Sequence, residues 1–308
     1  MSKKIAFIFP GTCVKIPMGE SLIKPHPEIA ALFETAEAIL GRPLKRIMTE
    51  GPLEELRRPV NALPATFLAS ISVFNLLIKK GIRPAVLVGR SLGDITAAAA
   101  SGAVTFETGM RMVKARGELF AGVSERMSGS MAVIIGMAVA EVRALCKLAE
   151  RATGGICEIA SINTADNCVI SGHSSSLSKA VESARQKNAL IIPLPLSGPY
   201  HSSLMKDTEN EFLQILSGFD FQDPVFPIVS EPAGGIIRSG REVFELLSGA
   251  AGRCVDWVKR IYLLKDMHIG QFLELGPNQG MAAIAAKLLE GSSGRNIETY
   301  ADIQSLLQ

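Results

Sequence analysis

The stretch Val88-Gly89-Arg90-Ser91-Leu92-Gly93-Asp94 fits the pattern G-x-S-x-G. A short apolar run before it, residues 84–88, predicts a buried strand, and small residues after it, 95–100, favour a helix. A serine on so tight a turn between strand and helix is typical of a nucleophile elbow. We therefore predict that Ser91 is a nucleophile, with backbone N–H groups at the helix start as oxyanion donors. The alternative is a serine in an ordinary strand-to-helix turn.

A serine nucleophile needs a base, and the chain has four histidines. His26 lies between two prolines, which predicts a surface turn. We expect His173 in a loop or at a helix cap, and His268 in a packing or surface position. His201 follows an extended segment and a Gly-Pro turn, which is typical of a loop at a functional site. On chemistry alone, His201 leads the other three as the candidate base.

The composition argues against several classes of protein. Apolar residues make up 47% of the chain, charged residues 20%, and the net charge is +2, as in ordinary globular proteins. The sequence has no basic cluster, which argues against a nucleic-acid partner. The five scattered cysteines lack a C-x-x-C pair, which argues against a disulfide framework and a zinc site and favours the cytoplasm. We expect no metal, no cofactor, and no apolar stretch long enough to span a bilayer.

The order of predicted elements indicates two domains. Residues 129–197 follow the order strand, helix, strand, strand, helix, strand, which is that of a ferredoxin-like unit. In the flanking parts, 1–128 and 198–308, strands alternate with helices, and this predicts a parallel sheet covered on both faces. The large domain is expected to have strands at 5–9, 85–88, 227–229 and 271–275, with helices that include 65–80 and 255–265. We therefore predict an α/β fold with an inserted α+β domain and a substrate cleft.

A set of short motifs identifies a resemblance to a known family. In order and spacing they resemble those of the malonyl-CoA:acyl-carrier-protein transacylases, including the free-standing acyltransferases of polyketide synthesis, nearly from end to end. The resemblance implies a hydrolase-like α/β domain with an inserted ferredoxin-like domain, and we expect a monomer. The motifs are Phe9-Pro10-Gly11, Gly89-Arg90-Ser91-Leu92-Gly93-Asp94, Arg116-Gly117, Gly198-Pro199-Tyr200-His201-Ser202-Ser203-Leu204-Met205 and Gly276-Pro277.

The resemblance also implies roles for individual residues in the chemistry. Ser91 would be the acylated nucleophile and His201 its base, as a dyad without an acidic third member. A backbone carbonyl, here that of Ala250 or a near neighbour, would orient the histidine. The backbone N–H groups of Thr12 and Leu92 would form the oxyanion hole.

Further residues are implied in substrate binding. Arg116 would hold the free carboxylate of malonate through a two-pronged ion pair, which suits the geometry of a guanidinium group. The alternative for Arg116 is a solvated arginine on a helix. Asn163 would face the site from the small domain, or would be a plain turn residue. Tyr200 and Leu92 would crowd the pocket, as in malonyl-type members.

The chain departs from the family pattern at several positions. The family usually has glutamine at Thr12, so a backbone oxyanion donor survives there but the side-chain support of the loop is expected to be lost. The family usually has histidine at Arg90, which instead puts a fixed positive charge beside the nucleophile. Such a charge would lower activity or serve an anionic acyl group.

The predicted function is transfer of a malonyl group from malonyl-CoA to the phosphopantetheine thiol of an acyl carrier protein, in fatty acid or polyketide synthesis. Malonyl-CoA and the carrier protein are therefore the expected partners. One alternative is an acyl hydrolase that clears acyl groups from carrier proteins, although Arg116 favours transfer. A second alternative is a catalytically silent docking partner for a synthase, although the retention of Ser91 and His201 argues against it.

Overall fold

The computed structural model describes residues 4–195, 198–277 and 279–307. The chain divides into two compact units. The first comprises Met1–Glu118, Ile215–Leu247 and Ile261–Gln308, and the second comprises Leu119–Gln214 and Ser248–Arg260. Each unit contains one β-sheet.

The strands, in chain order, are β1 (Lys4–Phe9), β2 (Val86–Gly89), β3 (Gly129–Ile135), β4 (Cys157–Thr164), β5 (Asn167–His173), β6 (Leu190–Pro193), β7 (Ile228–Ser230), β8 (Gly235–Ile237), β9 (Val255–Asp256), β10 (Ile269–Leu275) and β11 (Ser293–Ile297). The α-helices are α1 (Glu20–Ile23), α2 (Pro27–Leu40), α3 (Leu44–Thr49), α4 (Leu53–Arg57), α5 (Pro59–Lys79), α6 (Leu92–Ala100), α7 (Phe106–Arg126), α8 (Val139–Thr153), α9 (Ser174–Gln186), α10 (Lys206–Leu216), α11 (Gly240–Ser248), α12 (Trp257–Tyr262), α13 (Met281–Leu288) and α14 (Tyr300–Leu306).

The sheet of the first unit has six strands in the order β11-β10-β1-β2-β7-β8, and its pairs are parallel except for the antiparallel pair β7–β8. Phe9 is in register with Gly89, and Ile8 with Glu274. The carboxyl ends of β10, β1 and β2 therefore meet at one edge of the sheet, where sites of α/β folds are built. The segments that follow these strands begin at Pro10, Arg90 and Gly276.

The second unit follows the predicted order of elements. Its strands lie in the order β6-β3-β5-β4-β9, in which β3, β4, β5 and β6 pair antiparallel. Helices α8 and α9 pack on this sheet through small and branched apolar side chains at helical spacing, which close a core without large aromatic residues. The core residues on these two helices are Val142, Leu145, Cys146, Ala149, Leu177, Ala180 and Ala184.

The elements of the structure differ from the predicted ones in several places. The predicted helix at 255–265 begins with β9, which pairs in parallel with β4, so that only Trp257–Tyr262 forms α12. Strands β8 and β11 were not predicted. The segment Ser293–Ile297 reads SGRNI and lacks a β-branched pattern, so its strand depends on pairing with β10.

Helix α5 also differs from the prediction. It begins at Pro59 rather than at residue 65 and includes Pro64 in its interior. By length and composition it could cross a membrane, so the expectation that no stretch is long enough was wrong. However, 89% of its apolar window is buried within the structure, as is usual for the core helix of a folded domain.

Candidate active site

Ser91 lies at the predicted elbow, between β2 and α6. Its φ of 58° and ψ of −110° are rare for a residue with a side chain. The turn is fixed because the N–H of Arg90 donates to the carbonyl of Phe9 at 3.1 Å and the N–H of Asp94 donates to the carbonyl of Ser91 at 3.0 Å. Strain held by surrounding hydrogen bonds is typical of catalytic serines on such turns.

The two glycines of the elbow allow the turn to close. A Cβ atom at Gly93 would overlap the carbonyl oxygen of Phe9, and one at Gly89 would overlap the backbone of Asp94. Neither position therefore accepts a side chain. The close approach also brings β1 and the segment after it against the start of α6.

The segment after β1, residues 11–13, is held by two side chains from distant parts of the chain. The N–H of Gly11 donates to Gln279 Oε1 at 3.1 Å, and Gln279 Nε2 donates to the carbonyl of Thr12 at 3.1 Å. The N–H of Cys13 donates to Thr66 Oγ1 at 3.2 Å. The expectation that the 11–13 loop lacks side-chain support is therefore wrong.

The N–H of Thr12 lies between two N–H groups that are already used, those of Gly11 and Cys13. It has no hydrogen-bond acceptor among the described residues. The N–H of Leu92 opens α6, where the first N–H groups of a helix lack intrahelical partners. Both backbone groups that the resemblance implies as oxyanion donors thus follow neighbouring strands of the same sheet.

Arg90 is oriented toward Gln279. Its Nη1 donates to Gln279 Oε1 at 3.2 Å. The buried carboxyl group of Glu274, on β10, accepts from the N–H groups of Gln279 at 2.9 Å and Ala282 at 3.3 Å. Burial raises the pKa of Glu274 above its ordinary value, although these backbone hydrogen bonds and the nearby charge of Arg90 lower it in part.

Arg116 lies on α7, and only 1% of its surface is exposed. The alternative of a solvated helix arginine is therefore wrong, whereas Arg111 on the same helix is exposed. The next residue, Gly117, packs closely on the start of α5, since a Cβ atom there would lie 2.8 Å from the carbonyl oxygen of Pro59. A buried guanidinium is expensive to desolvate unless it meets anionic or polar groups.

His201 belongs to the second unit, and its own φ is also positive, at 59°. Its Nδ1 lies 3.0 Å from the carbonyl oxygen of Arg253, and its N–H donates to the carbonyl of Ala251 at 2.9 Å. A backbone carbonyl near residue 250 was expected to orient the histidine, and Arg253 supplies it. Next along the chain, the N–H of Ser203 donates to Glu158 Oε2 at 2.7 Å, which fixes the chain beyond the histidine.

Tyr200 and Asn163 are both buried in the second unit. The ring of Tyr200 stacks on Phe120 with centroids 4.3 Å apart, and its hydroxyl lies 3.1 Å from Ser124 Oγ. Burial raises the pKa of Tyr200, while the hydrogen bond with Ser124 lowers it in part. Asn163 lies in β4 and not in a turn, and its side chain bonds to those of Ser161 and Asn167.

His201 also borders a pocket of about 230 Å³ within the second unit. The pocket is lined by side chains of α8 and β4 and by the chain around residue 253. Its lining residues are Arg143, Cys146, Lys147, Cys157, Glu158, Ile159, His201, Gly252 and Cys254. The sequence did not indicate this pocket, because its lining comes from four separate segments of the chain.

The fold agrees with comparisons with known proteins. The chain belongs to the acyl transferase domain family, which matches residues 6–230. It is 32% identical over 302 residues to the malonyl CoA-acyl carrier protein transacylase of Bacillus subtilis (strain 168), covering 97% of this chain and 93% of that protein. Its identity to the protein of the same name from Escherichia coli (strain K12) is 27%, covering 93% of each.

Solved structures give the same result at the level of the fold. A malonyl-transacylase solved in complex with its type II polyketide synthase acyl-carrier protein superposes with a TM-score of 0.92, at 26% identity over 99% of each chain. FabD from Acinetobacter baumannii superposes with a TM-score of 0.91, at 28% identity over 100% of this chain and 98% of its own. The predicted α/β fold class with a parallel sheet is confirmed, and the strand order of the second unit is consistent with the predicted ferredoxin-like domain.

Proposed function

We propose that this protein transfers a malonyl group from malonyl-CoA to the phosphopantetheine thiol of an acyl carrier protein, in fatty acid or polyketide synthesis. The observation that carries this proposal is the strained elbow at Ser91 in a chain of the acyl transferase domain family. The names of its relatives, and the neighbour solved with a carrier protein, support the substrate and the partner. The domain boundaries 1–128 with 198–308, and 129–197, stay a prediction from the sequence, separate from the two compact units of the structure.

In the first step, Ser91 Oγ attacks the thioester carbonyl carbon of malonyl-CoA and His201 Nε2 takes the hydroxyl proton. The Nδ1 contact with the carbonyl of Arg253 supports this role, because a carbonyl only accepts and leaves Nε2 as the basic nitrogen. The N–H groups of Thr12 and Leu92 hold the negative oxygen. The carbon–sulfur bond then breaks, and coenzyme A leaves as a thiol with the proton from His201.

In the second step, the phosphopantetheine thiol of the carrier protein attacks the malonyl ester on Ser91. His201 takes the thiol proton and returns it to Ser91 Oγ as the ester bond breaks. The products are malonyl carrier protein and free enzyme. Both steps use groups of the protein and its substrates without a cofactor.

Arg116 is proposed to select the acyl group. A malonate carboxylate that leaves water needs a cationic partner, and the buried guanidinium of Arg116 would provide it. Tyr200, Asn163 and Arg90 are proposed to line or influence the substrate site. The carboxylate clamp favours transfer over hydrolysis, because clearing acyl groups in general does not require a free carboxylate.

The fate of the acyl group distinguishes transfer from hydrolysis. The purified protein is incubated with malonyl-CoA, with and without a bacterial holo acyl carrier protein, and both proteins are followed by intact mass. Transfer predicts a stable malonyl adduct that moves to the carrier protein. Rapid release of free malonate, with no malonyl carrier protein, would support the hydrolase instead. No adduct and no turnover would support the silent docking partner.

A further inference from the structure

We infer that Gln279 is a positioning residue that orients the Thr12 N–H for oxyanion binding, and that Arg90 acts through Gln279. This inference rests on the proposed function, since it assigns a purpose to the Thr12 N–H in the transfer reaction. Gln279 lies after β10, 267 residues from Thr12, and both belong to the first unit.

The amide of Gln279 holds the peptide groups on either side of the one that carries the Thr12 N–H. Its oxygen accepts from the N–H of Gly11, and its nitrogen donates to the carbonyl of Thr12. A planar peptide group turns only through the torsions next to it, here ψ of Gly11 and φ of Thr12. Glycine has wide torsional freedom, so the two hydrogen bonds remove motion that Gly11 would otherwise allow. The direction of the Thr12 N–H is thereby fixed.

Arg90 adds a third contact to the two that fix which way the Gln279 amide faces. The oxygen of that amide accepts both from Gly11 N–H and from Arg90 Nη1 at 3.2 Å. A flipped amide would turn its NH₂ group toward these two donors and its oxygen toward the Thr12 carbonyl, and all three contacts would become unfavourable. Arg90 therefore supports the Thr12 N–H indirectly, from a position next to Ser91.

The backbone of Gln279 is itself held by the side chain of Glu274. Its N–H donates to the buried carboxyl group of Glu274 at 2.9 Å, and the second oxygen of that group accepts from the N–H of Ala282 at 3.3 Å. Because the backbone of Gln279 is held in place, its side chain can hold the groups that it binds with little movement. A continuous series of contacts thus connects the core strand β10, through Glu274 and Gln279, to the 11–13 loop.

The test measures the rate of Ser91 acylation per active site with malonyl-CoA in the full-length protein. Gln279→Ala removes the amide, and Gln279→Met keeps its length while removing all three hydrogen bonds. Both should lower the acylation rate constant about 10- to 100-fold, below the 10²–10³ lost with a whole oxyanion donor. KM for malonyl-CoA should change less than about threefold, because the oxyanion forms only after binding. The exposed Gln304→Ala is the matched control and should leave the rate unchanged.

If Gln279 only fills space, its variants should show a different pattern of rate and stability. The melting temperature and the fraction of active sites would then fall while the rate per active site stays at the wild-type value, or Gln279→Met would restore the rate. Either result overturns the inference. Arg90→Ala should lower the rate as well, and adding it to Gln279→Ala should cause little further loss. Fully additive losses would show that Arg90 does not act through Gln279.

The failure of the proposed function is distinguishable from the failure of this inference. If the wild-type protein forms no malonyl adduct, the proposed function fails. The same variants are then compared with p-nitrophenyl acetate, whose cleavage by a serine also forms an oxyanion. Equal rates per active site for wild type and Gln279→Met with whichever substrate reacts would overturn the inference alone.

Discussion

His201 Nδ1 lies 3.0 Å from the carbonyl oxygen of Arg253. Because a carbonyl can only accept, Nδ1 carries the proton and Nε2 presents a lone pair. The backbone therefore selects the tautomer that a general base requires, without an acidic side chain. The positive φ of His201 shows that the chain adopts an uncommon conformation to present this ring.

Replacing His201 should remove most of the acylation activity. His201→Ala is expected to lower the rate of adduct formation by about 10²–10⁴, the usual contribution of general acid–base catalysis. Rapid-quench mass spectrometry with malonyl-CoA measures this rate. The control is His268→Asn, at an exposed position with positive φ that asparagine tolerates. A His201→Ala protein that acylates as fast as this control would show that another group is the base.

Replacing Arg116 should change the choice of acyl group. Arg116→Ala is expected to lower malonyl transfer by about 2–5 kcal/mol of transition-state free energy, as when one partner of a buried charge pair is lost. Acetyl transfer should fall far less. The measurement is kcat/KM for malonyl-CoA and acetyl-CoA, with the exposed Arg111→Ala as control. Equal losses for both substrates would mean that Arg116 serves the packing of α7 rather than the carboxylate.

Much of this arrangement could be predicted from the sequence, and the limit has a physical cause. The elbow is local, so the strand, serine and helix around Ser91 could be recognised from adjacent residues. The support of the 11–13 loop is not local. Gln279 reaches that loop from 267 residues away, and its place depends on the register between β1 and β10. Polar strands such as β11 escaped prediction for the same reason, since pairing rather than composition defines them.

The conformation around Asn163 and Arg116 also required the structure. Asn163 lies in a stretch rich in turn-forming residues, yet β4 pairs with β5 on both sides of it, with a shift of register at this residue. The helical spacing around Arg116 does not show which face of α7 is buried at that residue. In both cases, tertiary packing decides the environment of a side chain whose local pattern fits two alternatives.

The elbow should not accept a side chain at Gly93. Gly93→Ala is expected to lower the free energy of unfolding by about 3 kcal/mol or more, because its Cβ would overlap the carbonyl oxygen of Phe9 and neither backbone segment can yield cheaply. Urea unfolding measures the change. Gly235→Ala, where nothing lies near the added atom, is the control. Equal stabilities of the two variants would show that β1 and α6 are not in such close contact.

The hydroxyl of Tyr200 should contribute to stability in a pH-dependent way. Tyr200→Phe loses the bond with Ser124, which is worth about 1 kcal/mol, and keeps the stacking on Phe120. Because burial raises the pKa of Tyr200 above 10.0, the unfolded chain ionises first as the pH rises. The stability that Tyr200 provides is therefore complete below pH 10.0 and is lost as the pH rises through the folded-state pKa. Unfolding curves of the wild type and of Tyr200→Phe between pH 8 and 11 test this. A stability advantage of the wild type that grows with pH would contradict it.

The most direct test of the account is the intact mass of the protein after brief exposure to malonyl-CoA, for wild type and Ser91→Ala. If Ser91 is the nucleophile, the wild-type protein gains the mass of one malonyl group, and peptide mapping places this group on Ser91. Ser91→Ala should gain nothing while it retains the melting temperature of the wild type within a few degrees, since a turn hydroxyl contributes little to folding. A malonyl adduct that still forms on folded Ser91→Ala would contradict the assignment of the nucleophile.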